Sequence, residues 1–205
     1  MADILSPDNE SASEPAADHR FAPLANLADV SQRYGTDLPV ETWHPPFCGT
    51  IDMRIAKDGT WFYHGTMIER PALVRLFSRL LRKDEERYVL VTPVECVGIT
   101  VEDVPFIAAQ MEVNESAAGP IFKFRTNAGD TVCADRDHAL RFETGEADGL
   151  MPYILVRGGL WARLTRALTV ELMAHGSVQN IDGKDMFGIA SAGVFFPIAA
   201  AEDFG

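Results

Sequence analysis

Long apolar runs are missing from this 205-residue chain. No stretch approaches the roughly 20 consecutive apolar residues that a membrane-spanning helix requires. The opening MADILSPDNE has neither a basic start nor the apolar segment of a secretory leader, so a cytoplasmic protein with no membrane partner is expected. Cysteine is scarce. Cys48, Cys96 and Cys133 are odd in number, far apart and outside any CxxC or Cys/His ligand spacing, which argues against disulfide and zinc frameworks and leaves them as small buried hydrophobes. Basic residues are outnumbered 18 to 30, giving a formal charge of −12 and a pI near 4.8. That field repels phosphate backbones, so nucleic acid is not an expected partner. A small anion still is, because a local arginine cluster outweighs the net field within a Debye length of about 8 Å. Catalytic signatures are lacking too. GIASAG places Ser191 outside G-x-S-x-G, no G-x-G-x-x-G or Walker loop occurs, and CADRDHA lacks the third ligand and the glycine of a calcium loop. No metal set is read, and no cofactor is assigned.

What is present is enough apolar material, 47%, to bury a core. Residues 1–20, rich in Ser, Ala, Pro and acid, read as a disordered tail. Leu24, Leu27, Val30 and Tyr34 suggest a short helix stopped by Gly35, and TWHPPFCG an extended turn. In ERPALVRLFSRLLRK, Pro71 stands near a helix start, apolar residues from Leu73 to Leu81 share a face, and Lys and Arg close the end. Beyond Glu86 the pattern is strand-like: YVLVTPV, CVGITV, FIAAQMEV, IFKFRT, DTVCA, HALRF and YILVR, punctuated by Gly, Asp, Asn and Pro. Leu160, Ala162 and Leu164 alternate before Leu168, Leu172 and Met173 take helical spacing up to Gly176, and MFGIASAGVFFPIAAA reads as a terminal strand and surface tail. The expected class is α+β and β-rich, with an N-terminal unit over 21–95 and a C-terminal unit over 96–205. Gly59, Trp61, Arg70, Leu73 and Phe77 align with Gly159, Trp161, Arg166, Leu168 and Met173 after short deletions, which suggests internal duplication and a ligand at the seam.

IDMRIAKDGTWFYHG reads as a hairpin with chemistry on it. A two-residue type I′ turn at Asp58-Gly59 opposes Arg54 to Tyr63 and puts Asp52, Arg54, Trp61 and Tyr63 on one face, an aromatic and guanidinium platform for a planar anion. A three-residue turn with a glycine bulge slips the register by one, sends Trp61 and Tyr63 into the core and sets Arg54 against Phe62 and His64. Both remain open at the level of sequence. Further candidates are His64 as a base or packing residue, and Glu95 and Asp103, within VTPVECVGITVEDVPF, as acceptors, ion-pair members or bases. Arg157, at the end of YILVR, is aimed at a buried anion.

CGTIDMRIAKDGTWF, RPALVRLFSRLL, VTPVECVGITVEDVPF and YILVR together resemble the proteobacterial family of domain of unknown function 1285, from about Trp43 to Met173. The resemblance implies an internally duplicated fold whose C-terminal unit is similar to a pleckstrin-homology-like β-barrel closed by a helix at about 165–175. It also implies a site at the seam, a nucleotide-type ligand and a role in signal transduction, including under oxidative stress. The expected function is a non-catalytic module that binds a small anionic, nucleotide-like ligand through Asp52, Arg54, Trp61, Tyr63, His64, Glu95, Asp103 and Arg157. The alternatives are a hydrolase or transferase using Asp52 or Glu95 with His64, and a homodimeric interaction protein.

Overall fold

The computed structural model describes residues 38–117, 119–145 and 149–204, so the expected tail and the helix over 21–36 lie outside the described residues. Among the described residues, fifteen strands form three sheets and two α-helices pack against them. The first sheet takes β1 (Phe47–Ile55), β2 (Trp61–Tyr63), β3 (Thr66–Met67), β4 (Leu81–Asp84), β5 (Arg87–Val91) and β6 (Cys96–Val101) in the order β3-β2-β1-β6-β5-β4. The second takes β7 (Phe106–Ser116), β8 (Gly119–Thr126), β9 (Thr131–Cys133), β10 (Leu140–Thr144), β11 (Leu150–Arg157) and β12 (Leu160–Leu164) in the order β10-β11-β12-β7-β8-β9.

The two sheets share a plan. Each is a pair of three-stranded antiparallel ribbons joined through one parallel contact, β1 with β6 and β12 with β7. The residue matches seen in the sequence do not occupy matching places in it: Trp61 lies on β2, one strand from an edge, and Trp161 on β12, at the parallel centre. The likeness is therefore one of sheet architecture. Because β6 pairs with both β1 and β5, the first unit extends past residue 95 to Val101.

Helix α1 (Pro71–Leu80) crosses from the first ribbon to the second. Its start suits proline, whose missing N–H has no intrahelical partner there. Phe77 and Leu80 are fully buried, and the Trp61 ring lies 6.0 Å from that of Phe77 in a stacked arrangement. The helix is shorter than its sequence suggests. Leu81 turns extended, and Arg82 and Lys83 enter β4 instead of closing a helix. The gain is a clamp: Arg82 grips Asp84 at 2.6 and 2.8 Å and donates to the carbonyls of Val40 and Trp43 at 2.7 and 2.8 Å. Helix α2 (Arg166–Met173) buries Leu168 and Leu172 against β7, β11 and β12, with the Thr165 side chain capping its first turn.

Beyond α2 come β13 (Ser177–Ile181), β14 (Lys184–Ser191) and β15 (Val194–Ala200), an antiparallel sheet where one terminal strand was expected. The overlooked hairpin has a readable cause, since Asp182 and Gly183 both take positive φ, 50° and 82°, as a type I′ turn demands. Residues 105–204 hold nine described strands in two sheets, one of them containing a parallel pair, with α2 packed against the larger sheet, a β-rich unit. Ser191 ties the sheets together: its buried hydroxyl accepts from Phe122 N at 3.1 Å and donates to Ala134 O at 2.6 Å, a structural pin. One hydrophobic core runs through both units, from Trp61 and Phe77 to Phe106, Phe122, Phe124 and Phe196.

Candidate functional site

The opening hairpin adopts the slipped register. Gly59 N donates to Ala56 O and Ala56 N to Thr60 O, each at 2.9 Å, around a Gly59 with φ +82°, and Ile55, Arg54 and Met53 oppose Trp61, Phe62 and Tyr63. A Cβ on Gly59 would stand 2.7 Å from Asn127 Nδ2 and 2.8 Å from Ile107 Cγ1, so contact with the second unit reinforces the turn. Since side chains alternate with a period of two, a one-residue slip carries both aromatics inward. Trp61 is 2% and Tyr63 8% exposed, and burial pushes the Tyr63 phenol up. Trp61 and Tyr63 therefore form no stacking platform on this ribbon, because both are packed into the core.

The other residues of that proposal separate. Arg54 lies over the Phe62 ring at 4.3 Å and pairs with Glu102. Glu102 Oε2 also accepts from Lys57 N at 3.0 Å, and the bond from this backbone N–H holds its carboxyl below the usual range. His64 is a turn residue with φ 48°; its Nδ1 is 3.4 Å from Asp52 Oδ2, and both side chains are about two-thirds exposed, 67% and 66%. An acid/base pair there stands in water. Glu95 closes the β5–β6 turn, donating from its N–H to Thr92 Oγ1 at 3.0 Å and accepting at its carbonyl from Thr92 N at 2.8 Å. The structure thus does not bring Asp52, Arg54, Trp61, Tyr63, His64 and Glu95 together with Arg157 in one hollow.

Arg157 and Asp103 do stand at the seam. Arg157 donates to Asp130 at 2.8 Å and to the Ser78 carbonyl of α1 at 2.7 Å, so it is a latch between units. Asp103 is a hub. One oxygen accepts from the Tyr153 hydroxyl at 3.2 Å, the other lies 3.1 Å from Arg163 Nη1, and Arg163 Nη2 reaches the Lys57 carbonyl at 2.6 Å. Burial pushes Tyr153 up to about 12, and the Asp103 charge adds to it.

Beside this hub is a group that sequence reasoning missed. Arg141, Tyr153 and Arg163 are in register across β10, β11 and β12 and so share a face, with Trp161 two residues before Arg163 on the same face. The Arg141 guanidinium sits 4.7 Å from the Tyr153 ring and 4.3 Å from the Trp161 ring. Its Nη2 is 3.3 Å from Glu143, while its Nε is buried with no hydrogen-bond partner among the described residues. From the first unit come Tyr88, raised by burial and lowered by the Arg141 charge, and Lys83, whose Nζ is 5.6 Å from the Tyr88 ring. Tyr88, Lys83, Arg141 and Trp161 are all half-buried. The only sequence signal for this group was the arginine interrupting HALRF, and its neighbours are strand partners far along the chain.

Two family models match the chain in tandem: Domain of unknown function (DUF1285), N-terminal domain, over residues 38–104, and Protein of unknown function (DUF1285), C-terminal domain, over residues 105–198. The chain belongs to the DUF1285 family. A crystal structure of a DUF1285 family protein from Silicibacter pomeroyi DSS-3 is similar, with 43% identity and a TM-score of 0.78, covering 89% of this chain and 97% of that one. Another, from Shewanella baltica OS155, has 24% identity and a TM-score of 0.49 over 60% of this chain and 91% of that one. No curated protein matches. The boundary between the two DUF1285 models falls just after Asp103, the hub residue. Among the described residues no helix is long and apolar enough to cross a membrane, and no group of three or more His, Cys, Asp or Glu is placed to hold a metal.

Proposed function

We propose that this DUF1285 protein is a non-catalytic binding module whose ligand is a small planar anion, nucleotide-like in chemistry, held at the seam between its two units. The site is moved from the opening hairpin to Arg141, Trp161, Tyr88 and Lys83. The observation that carries this reading is Arg141: a guanidinium set against two rings, half open to solvent, with a buried Nε that has no partner among the described residues. The exposed part of the Arg141 guanidinium is what a ligand acceptor would meet, in a charge-assisted hydrogen bond worth about 1.5–3 kcal/mol. Trp161 and Tyr88 offer ring faces for a base, and Arg141 and Lys83 offer charge for phosphate or carboxylate. Because Arg157 and Arg163 grip carbonyls of the first unit beside it, occupancy would bias how the two units sit together, the form a signalling sensor takes. Assembly through strand edges is compatible with this reading, since β13 is paired on one side and exposes Val178.

Tryptophan fluorescence tests it, because Trp43 and Trp61 are buried and Trp161 is half-buried. Titration with nucleoside mono-, di- and triphosphates is expected to quench Trp161 and raise the melting temperature. Arg141→Ala is expected to weaken binding about ten-fold or more, the loss of one charged hydrogen bond, and to lower the unliganded stability by about 1 kcal/mol or less, since the Glu143 pair and two ring contacts go with it. Absence of both quenching and thermal shift across the panel in the wild-type protein would end the proposal.

A further inference from the structure

Glu143 stands in the seam group without a part assigned to it. It lies on β10 two residues from Arg141 and opposite Met151, and so shares the face that carries Arg141, Tyr153, Trp161 and Arg163. Its Oε1 is 3.3 Å from Arg141 Nη2, its side chain is 46% exposed, and neither oxygen accepts a hydrogen bond among the described residues. Asp103, the other carboxylate beside Tyr153, is committed: it accepts from the Tyr153 hydroxyl and lies against Arg163. The Arg141 guanidinium touches both the Glu143 carboxylate and the Trp161 ring, which brings the carboxylate within reach of anything stacked on the indole.

A carboxylate in an anion site repels the charged end of its ligand and therefore meets the uncharged end. Lys83 stands at the opposite end of the same face. Glu143 pairs with Met151 near the start of β11, whereas the Lys83 stem packs beyond the end of β11, its Cδ 3.6 Å from where a Cβ on Gly159 would stand. A nucleotide laid between them has its phosphate at Lys83 and the edge of its base at Glu143. A carboxylate only accepts hydrogen bonds, so it selects an edge made of donors. Adenine and cytosine place a ring-nitrogen acceptor beside their amino group on the Watson–Crick edge, and uracil flanks its one N–H with carbonyl oxygens. Guanine alone among the common bases presents two neighbouring donors there, N1–H and the N2 amino group, which match the two oxygens of a carboxylate.

We infer that Glu143 is the base-reading residue of the seam site, an inference that rests on the binding role proposed above, and that it selects guanine nucleotides. Calorimetric titration of the protein with GMP, IMP and AMP tests this. GMP is expected to bind about ten-fold or more tightly than AMP, with IMP, which lacks the N2 amino group, between them. Glu143→Gln keeps the shape of an exposed side chain while exchanging one acceptor for a donor, the pattern that suits adenine. The GMP preference should then vanish, and AMP binding should hold or strengthen. If Glu143 serves only to hold Arg141, the substitution weakens all three ligands alike and leaves their ratio unchanged. Equal binding of GMP and AMP by the wild-type protein, or a GMP preference that survives Glu143→Gln, overturns the inference and leaves the seam site standing. Binding of none of the three nucleotides removes both.

Discussion

Tyr153→Phe interrogates the hub at the seam. The Tyr153 side chain is 1% exposed, and its hydroxyl donates to Asp103 at 3.2 Å. Removing it at pH 8 deletes one hydrogen bond to a charged acceptor that keeps Arg163, so the loss should be about 1–2 kcal/mol. At alkaline pH the sign reverses. The phenol titrates near 10 when unfolded and at about 12 in the folded protein, chiefly because burial disfavours the phenolate and secondly because Asp103 is adjacent. A pKa raised on folding gives stability that is fully present below 10 and is lost as pH rises toward 12, in total roughly 2–3 kcal/mol. The wild-type protein should therefore be the more stable at pH 8 and the less stable, by about 1 kcal/mol, near pH 12. Urea midpoints measured across this range, at an unchanged m-value, provide the test. Tyr63 and Tyr88 are also raised by burial, but they occur in both proteins and cancel in the difference. A difference that stays flat with pH would refute the reasoning, because the phenol would then not be held neutral by the fold.

Other outcomes follow from single contacts. Gly59→Ala places a Cβ against Asn127 and Ile107 at positive φ, so a loss of at least about 1–2 kcal/mol is expected in chemical denaturation. Trp61→Ala empties a core position and should lose about 3–5 kcal/mol, whereas Arg54→Ala, which removes a half-exposed ion pair and a ring contact, should lose about 1 kcal/mol or less. The comparison separates the core role of the indole from the surface role of the guanidinium. Asp84→Asn should destabilise by about 1–2 kcal/mol at neutral pH. Its cause is the Arg82 hydrogen bond, which holds the Asp84 carboxyl below its usual value, so this stabilisation is present above the unfolded pKa and fades as pH falls through the folded one. Acid melts of the two proteins should therefore converge.

Much of the fold was legible along the chain. The seven strands from YVLVTPV to YILVR all form, because alternation of apolar and polar residues between turn formers is local information. Helix α2 and the Pro71 start of α1 were equally readable, for the same reason. The end of α1 was not. LLRK continues a helical pattern, and only pairing with β5 and the grip of Arg82 on Asp84, Val40 and Trp43 draws it into a strand.

The opening hairpin marks the boundary between the two kinds of information. Lys57-Asp58-Gly59 specified a turn, and its neighbours allowed two registers. Packing of Trp61 on Phe77 and the fit of Gly59 against the second unit select the one that buries the indole. The same limit hid the seam group: Arg141, Tyr153 and Arg163 become a cluster only when three strands align, and Tyr88 joins them only when the two units meet. Composition and periodicity determine which segments fold and which face of each is apolar. Which side chains from distant strands share a surface depends on register and docking, and those are settled by the burial of many residues at once.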